Sequence, residues 1–349
     1  MTRRRTFLAG LLAATALPAP GWADVGAPRW LACARDPGGA FALYGIAADG
    51  ADTFRLSLPA RGHAGAAHPH RAEAVVFARR PGSYALVLDC ASGAALRQLA
   101  PPAGMQFNGH GAFTGDGGLL YTVEQRAEDS VGFLGIWDAD YRRLGQIETG
   151  GIGPHEVLRL AGDVFVVANG GIATAPDDRT KLNVPQMAPN LAYIEHDALA
   201  ETVALEPGLH FNSIRHLAHG QGVTAFAMQW EGAPERTVPL LGLHRRGAAP
   251  VLASAPATEQ ARMQGYAASC AWSGDTFAIT SPRGNRLHRF TADGRFLGAT
   301  ERTDVCGLAP CDGGFLTTDG RGGLLSIQAG VPHALGLRDR AWDNHIVTL

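Results

Sequence analysis

The sequence predicts an all-β fold, a seven-bladed β-propeller whose ring closes by pairing of the C-terminal strand with the N-terminal blade. Three observations predict it. Short apolar segments bounded by turn residues recur along the chain, and no sustained helical periodicity interrupts them. A histidine stands just upstream of most of these segments. From His63 to His345 the mean step is about 47 residues, close to the roughly 40–45 residues of a four-stranded blade.

The segments justify themselves in order. Residues 30–34, 74–80, 119–123, 164–168, 224–228, 276–280 and 314–318 are each apolar or β-branched and bounded by Gly, Pro, Asn or Asp. That is the pattern of a strand between turns. Most have a further short strand after them, as at 134–138 and 286–290. Forty-five glycines and 21 prolines, with 18% charged residues, suit many strands joined by tight turns. A strand-only chain of this size must hide its sheet edges, and a closed ring of blades does so. The stretch 342–348 resembles the strand before each repeated segment, so it should pair with the strand at Trp30.

The first residues read as a targeting signal. Arg3, Arg4 and Arg5 precede an apolar run from Leu8 to Leu17, and Gly21 and Ala23 stand where a signal peptidase reads. The expected organisation is a cleaved signal over 1–23 and a single propeller over 24–349. Arg4-Arg5-Thr6-Phe7-Leu8 fits the twin-arginine pattern, with an ordinary secretory signal as the alternative. Either route leads out of the cytoplasm, and the expected location is the periplasm. The apolar run falls short of the roughly 20 residues needed to span a bilayer, and no later segment suits a membrane anchor. Lys181 is the only lysine and the arginines are scattered, which excludes the basic stripe of a nucleic-acid binder. Five cysteines, an odd number, leave at least one unpaired. No CxxC motif is present, and buried structural thiols are the expectation for most of them.

Aligning the repeats places His63, His110, His155, His216 and His345 at equivalent positions, with Cys270 (or Ser269) and Cys306 at the other two. Inner strands of a propeller all start at one end of the central channel. These residues should therefore be neighbours in space. Second strands end at the same face, which adds Arg79, Glu124, Asn169, Gln229 and Arg283 as candidate ligand-binding groups beside Arg80, Gln125 and Asp319. Such convergent polar groups at a concave mouth mark a candidate site. Imidazoles suit Fe, Cu or Zn, and neutral imidazoles also suit an anion or a polar small molecule. A histidine here can equally serve its own blade by fixing the turn. The long segment 169–189, rich in Pro, Asp and Asn, should sit over the histidine face as a lid. Gly150-Gly151-Ile152-Gly153 precedes a strand rather than a helix, so it is no phosphate loop. No GxSxG or HExxH motif assigns a catalytic residue.

Several motifs carry a family resemblance. Ala78-Arg79-Arg80-Pro81-Gly82, Asn108-Gly109-His110-Gly111, Gly150–Glu156 with Pro154-His155, Ala168-Asn169-Gly170-Gly171, Ser213-Ile214-Arg215-His216, Ser281-Pro282-Arg283-Gly284, Asp304-Val305-Cys306-Gly307 and Trp342-Asp343-Asn344-His345 together resemble DUF1513, a family of exported propellers. Ala175-Pro176 departs from the His-Pro expected in the long loop, so no ligand is placed there. The resemblance implies twin-arginine export, periplasmic location and encoding beside imelysin-type proteins of bacterial iron uptake. It also implies an imelysin-like or redox partner. Three function classes stay open. The chain is a metal- or ligand-binding accessory to iron uptake, a lyase- or lactonase-type enzyme on the same face, or a docking scaffold.

Overall fold

The structure, a computed structural model, describes residues 28–349, and the expected signal over 1–23 lies outside the described residues. Seven four-stranded antiparallel sheets form the ring. Blade 1 takes three strands from the start of the described chain, Trp30–Arg35, Phe41–Ile46 and Asp52–Leu58, and its inner strand from the end, Ala341–Thr348. Trp30 lies opposite Thr348 and Leu31 opposite Val347. The predicted seven blades and the predicted closure are both present.

The inner strands of blades 2 to 7 are Gly62–Ala67, Met105–Phe113, Pro154–Arg159, Asn212–Gly220, Ser269–Ser273 and Val305–Cys311. Each touches the next around the ring, and blade 1's inner strand touches both blade 7 and blade 2. Middle strands lie between other strands and between blades, so they read as continuous apolar runs. Phe165–Asn169 is buried at every position. Outer strands such as Asp52–Leu58 and Ala198–Ala204 alternate instead, with charged residues on the open edge. The core sits between blades. Tyr193 of blade 4 packs against Ile214, Phe226 and Met228 of blade 5 in one of several such clusters.

One α-helix occurs among the described residues, Ala257–Arg262, in the connection from blade 5 to blade 6. Six residues are too few to leave a periodic signal in sequence. No helix among the described residues is long and apolar enough to cross a membrane. All five cysteines are free thiols.

Candidate metal and ligand centre

Every inner strand except that of blade 6 breaks register with its neighbour at the same level. The breaks fall between Gly62 and Gly65, Phe107 and Gly111, Pro154 and Glu156, Ile214 and His216, Val305 and Leu308, and Trp342 and Ile346. A bulge turns side chains out of the alternating pattern. Here the breaks coincide with the five aligned histidines and Cys306. The strand Ser269–Ser273 pairs without a break, and it carries no histidine. Gly109 shows why the local sequence is so constrained. Its φ is +96°, and a Cβ there would lie 2.5 Å from His63 Cδ2.

The five imidazoles form a closed ring in blade order. Ring centroids are 5.1 Å apart for His63–His110, 5.2 Å for His110–His155 and 4.7 Å for His155–His216. The circuit closes through His216–His345 at 4.7 Å and His345–His63 at 4.4 Å. Candidate ligand nitrogens lie within 4.8 Å of one another in two trios, His63/His110/His345 and His110/His155/His216. All five residues are buried. His110 Nε2, His155 Nδ1 and His345 Nε2 have no hydrogen-bond partner.

Burial keeps these rings neutral. It depresses His110, His155, His216 and His345 well below the ordinary imidazole range, aided by their neighbouring histidines and arginines. Burial and the nearby His345 lower His63 to about 3, even though Asp343 pulls the other way. A neutral imidazole with an open nitrogen is the form that coordinates a metal.

Two carboxyl groups back the ring. Burial alone would raise the Asp343 carboxyl, but the His63 hydrogen bond and the charges of Arg79 and Arg61 hold it well below its usual range. As a carboxylate it accepts a hydrogen bond from His63 Nδ1–H at 3.1 Å. That fixes the tautomer and leaves Nε2 with the lone pair. Glu156 Oε2 stands 3.1 Å from His216 Nδ1 and accepts from the Leu217 backbone N–H at 3.2 Å. Burial pushes the Glu156 carboxyl up to about 8.

A narrow chamber adjoins the ring, with room for little more than one water-sized atom. His63, His155 and His216 line it together with Arg79, Arg80, Arg179 and Arg215. Of the groups expected from second-strand ends, Arg79, Arg80 and Gln229 reach this chamber. The structure does not bring Glu124 there. Its carboxylate turns to the blade's outer strand, where Arg143 grips both oxygens at 2.7 and 3.0 Å and Thr122 donates at 2.6 Å. Asn169 is likewise spent on Thr149 of blade 3 and Asn190 of its own blade 4. Arg283 is exposed and stacks its guanidinium 4.3 Å over the Tyr266 ring, one layer behind the lining.

Several lining groups were not among the sequence expectations: Asn108, Arg179, Arg215, Tyr266 and Asn344. Alternation along a strand selects one face, and the bulges here override it. Arg215 is the residue inserted at blade 5's bulge, a shift no periodicity reveals. The long loop does cover the mouth as expected and delivers Arg179. It is held by Gln106, which donates to the Pro176 carbonyl at 2.5 Å, and by the Lys181–Glu231 ion pair. At the two cysteine positions burial raises both thiols, so neither is a ready thiolate. Cys306 Sγ instead donates to backbone carbonyls, that of Asp343 at 3.5 Å among them.

A family model described as "Protein of unknown function (DUF1513)" matches residues 56–349. The chain belongs to the DUF1513 family. Its matched region includes all five ring histidines and all four chamber arginines. A search of curated proteins returns no match. Among solved structures, the chain is similar to one from Kuenenia stuttgartiensis hydrazine synthase at 13% identity and TM-score 0.56, covering 93% of this chain and 98% of that one. It is also similar to the computationally designed Ika8 protein at 13% identity and TM-score 0.54, covering 88% and 84%. A chain of a nidogen/laminin complex matches at 9% identity and TM-score 0.51, covering 77% and 92%. At such identities the likeness is one of fold alone.

Proposed function

We propose that this DUF1513 protein binds a transition-metal ion, Fe, Cu or Zn, at its axial histidine ring. One observation carries the reading: five buried imidazoles, all held neutral, face one another, and three of them have a ring nitrogen without a partner. Leaving buried polar atoms unpaired costs about 1–3 kcal/mol each, and a metal ion would use those same lone pairs. The carboxylate behind His63 is the outer support that metal-ligating histidines ordinarily have. The ring residues are ligands of the softer divalent metals rather than of Mg or Ca, which favour oxygen.

The biological setting rests on sequence. The N-terminal signal pattern supports export by the twin-arginine route to the periplasm. The resemblance to exported propellers encoded beside imelysin-type proteins supports an accessory role in iron uptake, with an imelysin-like or redox partner. The direct experiment is metal analysis of the exported protein, followed by melting curves with Fe, Cu and Zn after chelation. Bound metal near one equivalent and a raised melting temperature are expected. Metal-free protein that does not respond to any of the three rejects the reading.

A second reading has its own observation. Glu156, raised to about 8, sits against a neutral His216 at the chamber, a pairing of perturbed groups that suits acid–base catalysis. Screening lactones and uronides with the native protein and His155→Ala separates the two. Turnover lost in the variant supports an enzyme, and silence across the panel leaves the binding role.

A further inference from the structure

The chamber beside the histidine ring concentrates positive charge without compensation. Arg79, Arg80, Arg179 and Arg215 all line it, and no Asp or Glu does. Arg80, Arg179 and Arg215 make no ion pair among the described residues, and Arg79 reaches only Asp343, at 3.6 Å. Asp343 is already committed to Arg61 at 2.5 Å and to His63. Arg215 is almost wholly buried, yet its Nε has no partner, and neither has Arg80 Nη1. Burial, and after it the three neighbouring guanidiniums, press Arg80 below its ordinary value. Burying one arginine unpaired is costly, and packing several together adds repulsion.

We propose that the four arginines bind a small inorganic oxyanion. The guanidinium offers a planar fork of donors that matches the edge of a phosphate or carbonate. Arg215 supplies it from the inner strand of blade 5, Arg80 from the connection after the second strand of blade 2, and Arg179 from the long loop. Tyr266 and Gln229 add polar groups at the wall. With Arg179 in place the chamber admits little more than one water-sized atom, so an oxyanion of a few heavy atoms is the largest ligand that displacement of this one side chain would admit. Because Arg179 is exposed while its fellows are not, it is the group that moves aside on entry and closes afterwards.

The arginine site stands on its own residues, and only its coupling to the ring rests on the metal reading. His63, His155 and His216 border the same chamber, so an oxyanion there lies within reach of an ion on the ring. Its negative charge would offset the arginines that otherwise repel a cation.

The test is calorimetric titration of chelated full-length mature protein with inorganic phosphate and with bicarbonate, using chloride as the control. One equivalent of phosphate or bicarbonate is expected to bind saturably, and chloride is not. Arg179→Gln, on the exposed loop, should weaken binding at least tenfold with an unchanged melting temperature, and Arg215→Gln should weaken it further. His219→Ala, outside both the ring and the chamber, should bind the oxyanion as the native protein does, and because the titrated protein is metal-free, failure of the metal reading is read apart from failure of this one. Absence of saturable binding by either oxyanion, with or without metal, overturns the proposal, as does native affinity in Arg179→Gln. Two oxyanions of different size serve as probes, and a preference between them defines the ligand.

Discussion

His63 Nδ1 donates to Asp343 Oδ1 across 3.1 Å, joining the inner strand of blade 2 to the C-terminal strand that completes blade 1. The contact bridges 280 positions in sequence. It does two jobs: it orients a ring histidine and clasps the closing strand. Asp343→Asn keeps the shape but removes the carboxylate. Metal affinity should fall about 10–100-fold, the usual cost of losing such support, as read by zinc titration of the chelated protein.

His110 has the most central place, since it belongs to both candidate ligand trios. His110→Ala should abolish stoichiometric metal binding, whereas His219→Ala, outside the ring, should leave it intact. Elemental analysis of the two purified variants decides the matter. Equal metal content in both would remove His110 from the ligand set.

Ring closure depends on Trp342. It is buried and meets Tyr44 edge-on at 5.7 Å, tying the last strand to blade 1. Trp342→Ala should cost about 3–5 kcal/mol, visible as a lower urea midpoint. A shift well under 1 kcal/mol would mean that the clasp lies elsewhere.

Gly109 combines a left-handed backbone with contact against His63. Gly109→Ala should strain the turn and displace the His63 ring. Both the melting temperature and zinc affinity should drop, while Gly104→Ala should affect stability alone. Gly104 has φ +78° but open space at its Cβ position, so this pair separates backbone strain from displacement of the histidine.

Acid should destabilise the fold. His68 is lowered to about 4 by burial and the adjacent Arg71, and His288 to about 4 by burial, against the pull of Glu259. Above pH 6.5 both rings are neutral folded or unfolded, so nothing is lost. As pH falls from 6.5 towards 4, the unfolded chain takes up protons that the fold refuses, and stability drops. Denaturant midpoints of the metal-free protein at pH 7, 5.5 and 4.5 should fall in that order, and His288→Gln should flatten the trend.

The sequence by itself determined the blade number, the closure at Trp342 and the five ring histidines. Those are repeat properties, and a spacing of about 47 residues is visible wherever turn residues and apolar runs recur. It also placed the long loop over the right face. Only the tertiary structure decided which polar groups face the chamber. Glu124 and Asn169 were expected there because their strands end at the mouth, yet their side chains turn to Arg143 and to Thr149. Arg179 and Arg215 reach the chamber although nothing in the repeat marks them. For Arg215 the physical reason is the bulge, where one inserted residue re-aims a side chain at no cost to the hydrophobic pattern. Arg179 comes from a connecting loop, and Glu124 and Asn169 are drawn off by partners on neighbouring strands, so a strand's place is written in its periodicity while side-chain directions near the axis are settled by tertiary contacts.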